Sequence, residues 1–192
     1  MGPVINPNVI ELITKYHAGG LRIAQKFHGG SAEYMATLVG KEPQHPTDKP
    51  DFNTYYRPAD LNTKRVSCTP EEYAETLNTL RDMALNRKDG ISLHFTYDQE
   101  GEGADFLLQQ RIFPYPMGLT ASGDPELAYR VALASGKQAR ALGANMIHSP
   151  VLDVNTNPRN PEIGTRSYSN DPSVVAQYAI QSLRGYSEAG II

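Results

Sequence analysis

Four helix-like segments of this chain end in the same kind of phrase. HAGG precedes LRIA, KDG precedes ISLHF, ALG precedes ANMIHSPV, and EAG precedes the final Ile191-Ile192. Helices that stop on glycine and pass almost at once into an apolar, β-branched run argue for parallel βα units rather than hairpins. Each of the first three phrases leads into a strand, so Ile191-Ile192 is expected to begin a fourth. Three strands and a stub do not close an eight-stranded barrel, and an open parallel half-sheet would leave an edge and apolar helix faces uncovered. The chain therefore reads as the front part of a larger α/β domain, completed by the remainder of a barrel in a longer polypeptide or by a second copy of itself.

The starts of the elements are marked as clearly as their stops. A first helix follows Asn6-Pro7, with Val9, Leu12, Ile13 and Tyr16 at helical spacing, and a short strand is expected over 21–25. His17, between them, reads as a partly exposed helix-end histidine. Thr69-Pro70-Glu71-Glu72 is a capping-box pattern that opens a helix with Tyr73, Leu77, Leu80 and Ala84 on one face. The strand ISLHFTYD follows and ends on a charge, Asp98. Asp124-Pro125 opens the next helix, with Leu127, Val131, Ala134 and Leu142 inward. Asp171-Pro172 opens the last, with Val175, Ala179, Leu183 and Tyr186 on its face.

Between these regular parts, residues 26–68 show neither helical nor strand period, and prolines recur at 43, 46, 50 and 58. Connections in βα units usually run roughly 2 to 6 residues, so a segment of about 40 is a long insertion of the kind that forms lids and binding loops. Its FNTYYRP run would suit stacking on a sugar ring, and the alternative is a plain surface covering. His28-Gly29-Gly30-Ser31 resembles a lipase oxyanion loop, but no G-x-S-x-G elbow accompanies it and a serine hydrolase is rejected.

Chemistry concentrates in two places. Residues 144–172, ANMIHSPVLDVNTNPRNPEIGTRSYSNDP, pass from an apolar run through Asp153 into a long polar loop, and YDQEGEGADF places Asp98 at a strand end before a glycine-containing turn. Charged side chains delivered into loops at strand C-termini are where barrel and open α/β enzymes keep their chemistry. A carboxylate there can accept hydrogen bonds from two neighbouring hydroxyls of a pyranose; the plainer reading of Asp98 is a turn carboxylate bonded to nearby amides. Pro158 and Pro161 would stiffen the loop, and one of them is a candidate for a cis bond.

PVLDVN followed by NPRNPEIGTRSYSNDP resembles the third-strand signature of glycoside hydrolase family 3, in the N-terminal catalytic barrel of its β-glucosidases and β-N-acetylglucosaminidases. KYHAGGLRIA, Asp98-Gln99-Glu100-Gly101 and FPYPMGLTASGDPELA are similar to further parts of that barrel. The resemblance covers roughly 9–25 and 69–192 and departs where Glu102 replaces a second glycine and a following arginine is missing. It implies a (β/α)8 TIM-barrel fold, incomplete here, with residues 1–192 as the N-terminal part of one glycosidase domain. It implies a retaining β-glycoside hydrolase acting on terminal β-linked glucose or N-acetylglucosamine, with no cofactor. Asp98 and Arg166 fall on the family's sugar-binding positions, and Asp153 and Glu100 are expected to support them. Arg166 could equally be an ion-paired loop anchor, with Asp153 or Asp171 as its partner. Retaining hydrolysis needs two carboxyl groups about 5 Å apart, and the family's nucleophile and acid/base fall beyond Ile192. No catalytic residue is expected within this chain, which alone should be inactive.

A formal charge of -3, 20% charged residues and no basic cluster do not suggest a nucleic-acid partner. No apolar run approaches a bilayer span, and the N-terminus has no signal-peptide pattern, which fits cytoplasm or secretion with a leader removed. The single Cys68 excludes an internal disulfide framework or a cysteine-rich zinc site. Two other classes stay open: a metal-dependent barrel hydrolase using His94, Asp98, His148 and Asp153, which has no H-x-H or H-E-x-x-H spacing to support it, and a noncatalytic sugar-binding or association module.

Overall fold

The computed structural model describes residues 7–23, 70–100, 113–159 and 162–192. The 26–68 segment, the turn after Glu100 with Glu102, and Pro161 lie outside them. The described residues form two units, one reaching Phe95 and one from Thr96 onward.

In the first unit α1 (Pro7–Thr14) leads to β1 (Gly20–Arg22), and α2 (Pro70–Leu85) leads to the start of β2 (His94–Asp98). Helix α1 buries Val9 and Ile13, whereas Leu12 and Tyr16 are exposed, against the expectation of a four-residue face. Two turns of helix bury only an i, i+4 pair, and Tyr16 lies past the last helical residue, where the chain reverses through His17 at φ 55°. Leu77, Leu80 and Ala84 of α2 are buried as expected, with Ile23, Leu93 and Phe95. Strand β1 runs close against β2: a Cβ on Gly20 would come within 3.0 Å of the His94 carbonyl oxygen.

The sequence did not flag the residue that joins this unit's segments. Arg87 is 4% exposed, and its guanidinium donates to the carbonyls of Ile13 (3.3 Å), Ala18 (2.9 Å), Ala84 (3.1 Å) and Ile91 (2.7 Å) and to Asp89 (3.2 Å). It thus bonds carbonyls at the ends of two helices, Ile13 of α1 and Ala84 of α2, the latter also accepting from the Arg87 amide at 3.2 Å. Asp89 also lies 3.1 Å from His17 Nδ1. Desolvation works to raise the Asp89 pKa, but the His17 contact, the Ile91 amide and the Arg87 charge outweigh it and hold the carboxyl below its ordinary value.

In the second unit the end of β2 pairs in parallel with β3 (Met146–His148), in the register Thr96↔Met146, Tyr97↔Ile147 and Asp98↔His148. Helices α3 (Pro116–Ala121) and α4 (Pro125–Ala141) lie between these strands in sequence, and a 3-10 turn at Gly164–Arg166 and α5 (Pro172–Glu188) come after β3. Asp124 and Asp171 cap α4 and α5 by accepting from the amides of Glu126 (3.0 Å) and Ser173 (2.8 Å), each ahead of a proline at the first helical position. The final residues lie along β3, with the Ile192 amide donating to Asn145 O (3.0 Å) and the Ile147 amide to Ile192 O (2.9 Å). That alternation is a parallel ladder, so the expected fourth strand begins where the sequence placed it.

Helix α4 is turned relative to the expected face. Its buried stripe is Ala128, Ala132, Ser135, Gly136 and Ala139, while Leu127 and Val131 are only partly covered and Leu142, just past the helix, is buried as expected. The reason is the approach of α5, where a Cβ on Gly185 would come within 2.5 Å of Tyr129 O and one on Gly136 within 2.6 Å of Ala189 Cβ. Contact this close selects small side chains, and the large ones flank it. Leu183, expected inward, is 49% exposed, while Val175, Ala179 and Tyr186 are buried. Tyr168, Tyr178 and Leu119 complete the core; the Tyr168 hydroxyl lies 2.6 Å from Ser182 Oγ, and burial pushes its pKa up to about 12.

Candidate active site

Parallel pairing brings the C-terminal ends of β2 and β3 to the same edge, and the last residue of each is polar: Asp98 and His148. They face each other in register, with His148 Nδ1 2.9 Å from Asp98 Oδ1, while His148 Nε2 lies 3.2 Å from Thr96 Oγ1. Thr96 and Asp98 are two apart and share a strand face, so one imidazole spans both. An ionised carboxylate only accepts, which assigns the proton to Nδ1.

Arg166 stands in the 3-10 turn of the loop after β3. Its Nη1 donates to Glu100 Oε1 at 2.8 Å, two residues past Asp98, and its Nη2 donates to the Glu162 carbonyl and to Glu162 Oε1 at 3.3 Å. Burial of the guanidinium lowers its pKa, but the Glu100 hydrogen bond and the charges of Glu100 and Glu162 prevail and leave it above the ordinary arginine value. The partners are therefore Glu100 and Glu162, not Asp153 or Asp171. Asp171 is occupied as the cap of α5, and Asp153 is exposed with its backbone carbonyl accepting from Ser167 Oγ at 2.5 Å. Ser167 is fully buried, and the Asn155 amide donates to Ser169 O (3.0 Å), so the two sides of the loop are tied together beside Arg166. A cis peptide bond occurs at Ser149-Pro150, before the loop rather than at Pro158.

The sequence reading named Asp98, Glu100, Asp153 and Arg166. The structure joins Glu100 to Arg166, sets Asp98 two residues before that pair, and engages Asp153 through its main chain. It adds His148, Thr96, Ser167 and Glu162. His148 was legible only as a possible metal ligand; the signal that would have linked it to Asp98 is that both end neighbouring parallel strands. Among the described residues no group of three or more His, Cys, Asp or Glu side chains is placed to hold a metal ion. No described helix is long and apolar enough to cross a membrane.

The parallel pairing of β2 with β3, helices following each of them in sequence, and acidic and basic side chains gathered past the C-terminal ends of these two strands fit the (β/α)8 TIM-barrel class, present here in part. Within that class the chain belongs to glycosyl hydrolase family 3: the model of the family's N-terminal domain matches residues 61–192. The chain is 31% identical over 120 residues to beta-hexosaminidase A of Pseudoalteromonas piscicida, covering 60% of this chain and 20% of that protein. It is 28% identical over 123 residues to a beta-N-acetylglucosaminidase/beta-glucosidase of Cellulomonas fimi, covering 64% of this chain and 21% of that protein. The solved structure of a family 3 beta-N-acetylglucosaminidase from Paenibacillus sp. str. FPU-7 superposes with a TM-score of 0.70 at 29% identity, over 97% of this chain and 28% of its own length. This chain thus spans about a fifth of the curated relatives it matches.

Proposed function

We propose that this chain carries part of the sugar-binding subsite of a retaining β-glycoside hydrolase acting on terminal β-linked glucose or N-acetylglucosamine. The observation that carries the reading is the joining of Arg166 to Glu100, just past Asp98 at the end of β2, in a chain of this family. Asp98 accepts from vicinal sugar hydroxyls, and the arginine fork, with five donors, reaches the sugar while still bonded to its carboxylates. The nucleophile belongs to a later strand of the barrel and the acid/base to a later loop or a second domain, so hydrolysis through a covalent glycosyl-enzyme intermediate requires them in addition. Residues 1–192 are the N-terminal part of one barrel domain with 26–68 as an insertion. Exposed Ile180, Leu183 and Ile192 support this arrangement, as apolar surface that the remaining βα units or a second copy would cover.

The test is hydrolysis of nitrophenyl β-glucoside and nitrophenyl β-N-acetylglucosaminide by the 192-residue chain, beside a polypeptide that continues past Ile192 through the later strands. Turnover by the longer polypeptide alone is expected, and the faster substrate identifies the sugar. Turnover by the 192-residue chain, purified free of host glycosidase, would place the nucleophile among its own carboxylates and overturn the division of roles.

A further inference from the structure

We infer that His148 is a positioning residue for the sugar-binding carboxylate: it fixes the plane in which Asp98 presents its oxygens, and Thr96 fixes the ring of His148. The inference rests on the sugar-binding reading of Asp98 and adds to it a residue outside the loop that contains Arg166.

The geometry carries it in three steps. Asp98 is the last residue of β2, at the point where the ladder with β3 ends and the chain turns away. His148, opposite it in register, places Nδ1 2.9 Å from Oδ1, taking one of the carboxylate's roughly four acceptor positions and setting the orientation of the rest. The ring is itself held at its far nitrogen by Thr96 Oγ1 at 3.2 Å, one strand-face step back from Asp98. A ring that only bridged two strands would need one such contact; bonded at both nitrogens, it has a single rotamer and tautomer to offer. The His148 side chain is 52% exposed and that of Asp98 28%, so the pair lies at the surface edge where a sugar would arrive.

The test uses the full chain, titrated with methyl β-N-acetylglucosaminide and methyl β-glucoside by ligand-observed NMR, with Tm recorded for every variant. His148→Phe keeps a ring but removes both nitrogens and is expected to weaken binding about tenfold, the effect of losing one hydrogen bond to a charged group. His148→Asn returns an N–H near the position of Nδ1 and is expected to recover most of that loss. Thr96→Val leaves the Asp98 contact and frees the ring, with an expected loss of about threefold. A merely structural clip would instead lower Tm in all three variants with binding by the folded molecules unchanged, and that result overturns the inference. Should His148→Phe not fold, His148→Asn against Thr96→Val still decides, since positioning requires the second to bind more weakly than the first. Asp98→Asn separates the two levels: if it binds as wild type does, or if wild type binds neither glycoside, the sugar-binding reading fails and the inference with it. If Asp98→Asn binds weakly while His148→Phe binds normally, only the inference fails.

Discussion

Arg166 Nη1 and Glu100 Oε1 lie 2.8 Å apart, joining the 3-10 turn of the loop after β3 to the chain just past β2 across 66 residues of sequence. Both side chains are about a quarter exposed, so the pair is only partly screened by water. Glu100→Gln keeps an acceptor but removes the charge. It should cost about 1 kcal/mol of stability and weaken sugar binding several-fold by loosening Arg166. Urea titration and glycoside titration of the same variant check the two parts.

Asp98→Ala should act differently, because the carboxylate itself is the proposed acceptor of sugar hydroxyls. Affinity is expected to fall by at least tenfold, as for the loss of charged hydrogen bonds. Unchanged affinity, measured by calorimetric titration, would refute the role of Asp98.

Gly185→Ala tests the close approach of α4 and α5. The added Cβ would meet Tyr129 O at 2.5 Å, Ala132 Cβ at 2.8 Å and the Leu133 amide nitrogen at 2.8 Å, two of them backbone atoms that cannot rotate away. Helix propensity favours alanine by about 1 kcal/mol, but forced separation of packed helices costs about 1–3 kcal/mol or more. The net outcome is a lower midpoint in urea unfolding; a midpoint at or above wild type would mean that the helices sit farther apart.

These features divide according to what a local pattern can report. The Asp-Pro starts of α4 and α5, the glycine stops and Asp98 at the end of β2 were legible because each depends on a few neighbouring residues. The inward stripe of α4 was not, since Ala128, Ala132 and Gly136 are buried for the sake of α5 and their small size reads as weak hydrophobicity. Leu12 and Leu183 fit the helical period but face outward, because period gives a face without naming what covers it. The Arg166–Glu100 and Asp98–His148 pairs depend on strand register and loop path, which join residues 50 or more positions apart.

Arg87 extends that point to stability. Its buried guanidinium satisfies four carbonyls from three segments. Arg87→Met fills the stem's volume but takes this donor from the Ile13, Ala18 and Ile91 carbonyls, while Ala84 O keeps the backbone amide of residue 87. Each orphaned group costs about 1–3 kcal/mol, less where water can enter. A total near 3 kcal/mol is expected, read from urea unfolding. Arg87→Lys should recover little, since one ammonium cannot reproduce the fork.

Asp171 makes the pH dependence of the α5 cap testable. Hydrogen bonds from the Ser173 hydroxyl and amide, and then from the Val174 amide, outweigh desolvation and hold its carboxyl below the ordinary aspartate value. A group whose folded pKa is depressed adds stability above its unfolded pKa and loses it as pH falls through the folded value. The loss therefore begins near 3.8 and is complete only at lower pH. Asp171→Asn keeps a capping oxygen without the titration. At neutral pH wild type should have the higher Tm, since charge at a helix N-terminus adds to the cap. As pH is lowered through about 4, roughly the ordinary aspartate range, the difference should shrink toward zero, because only wild type loses this contribution. Asp89 titrates in the same direction in both proteins and cancels in the comparison. Tm measured for both proteins between neutral and acidic pH decides the matter, and a gap that stayed constant or widened in acid would show that the carboxylate is not favoured by the folded state.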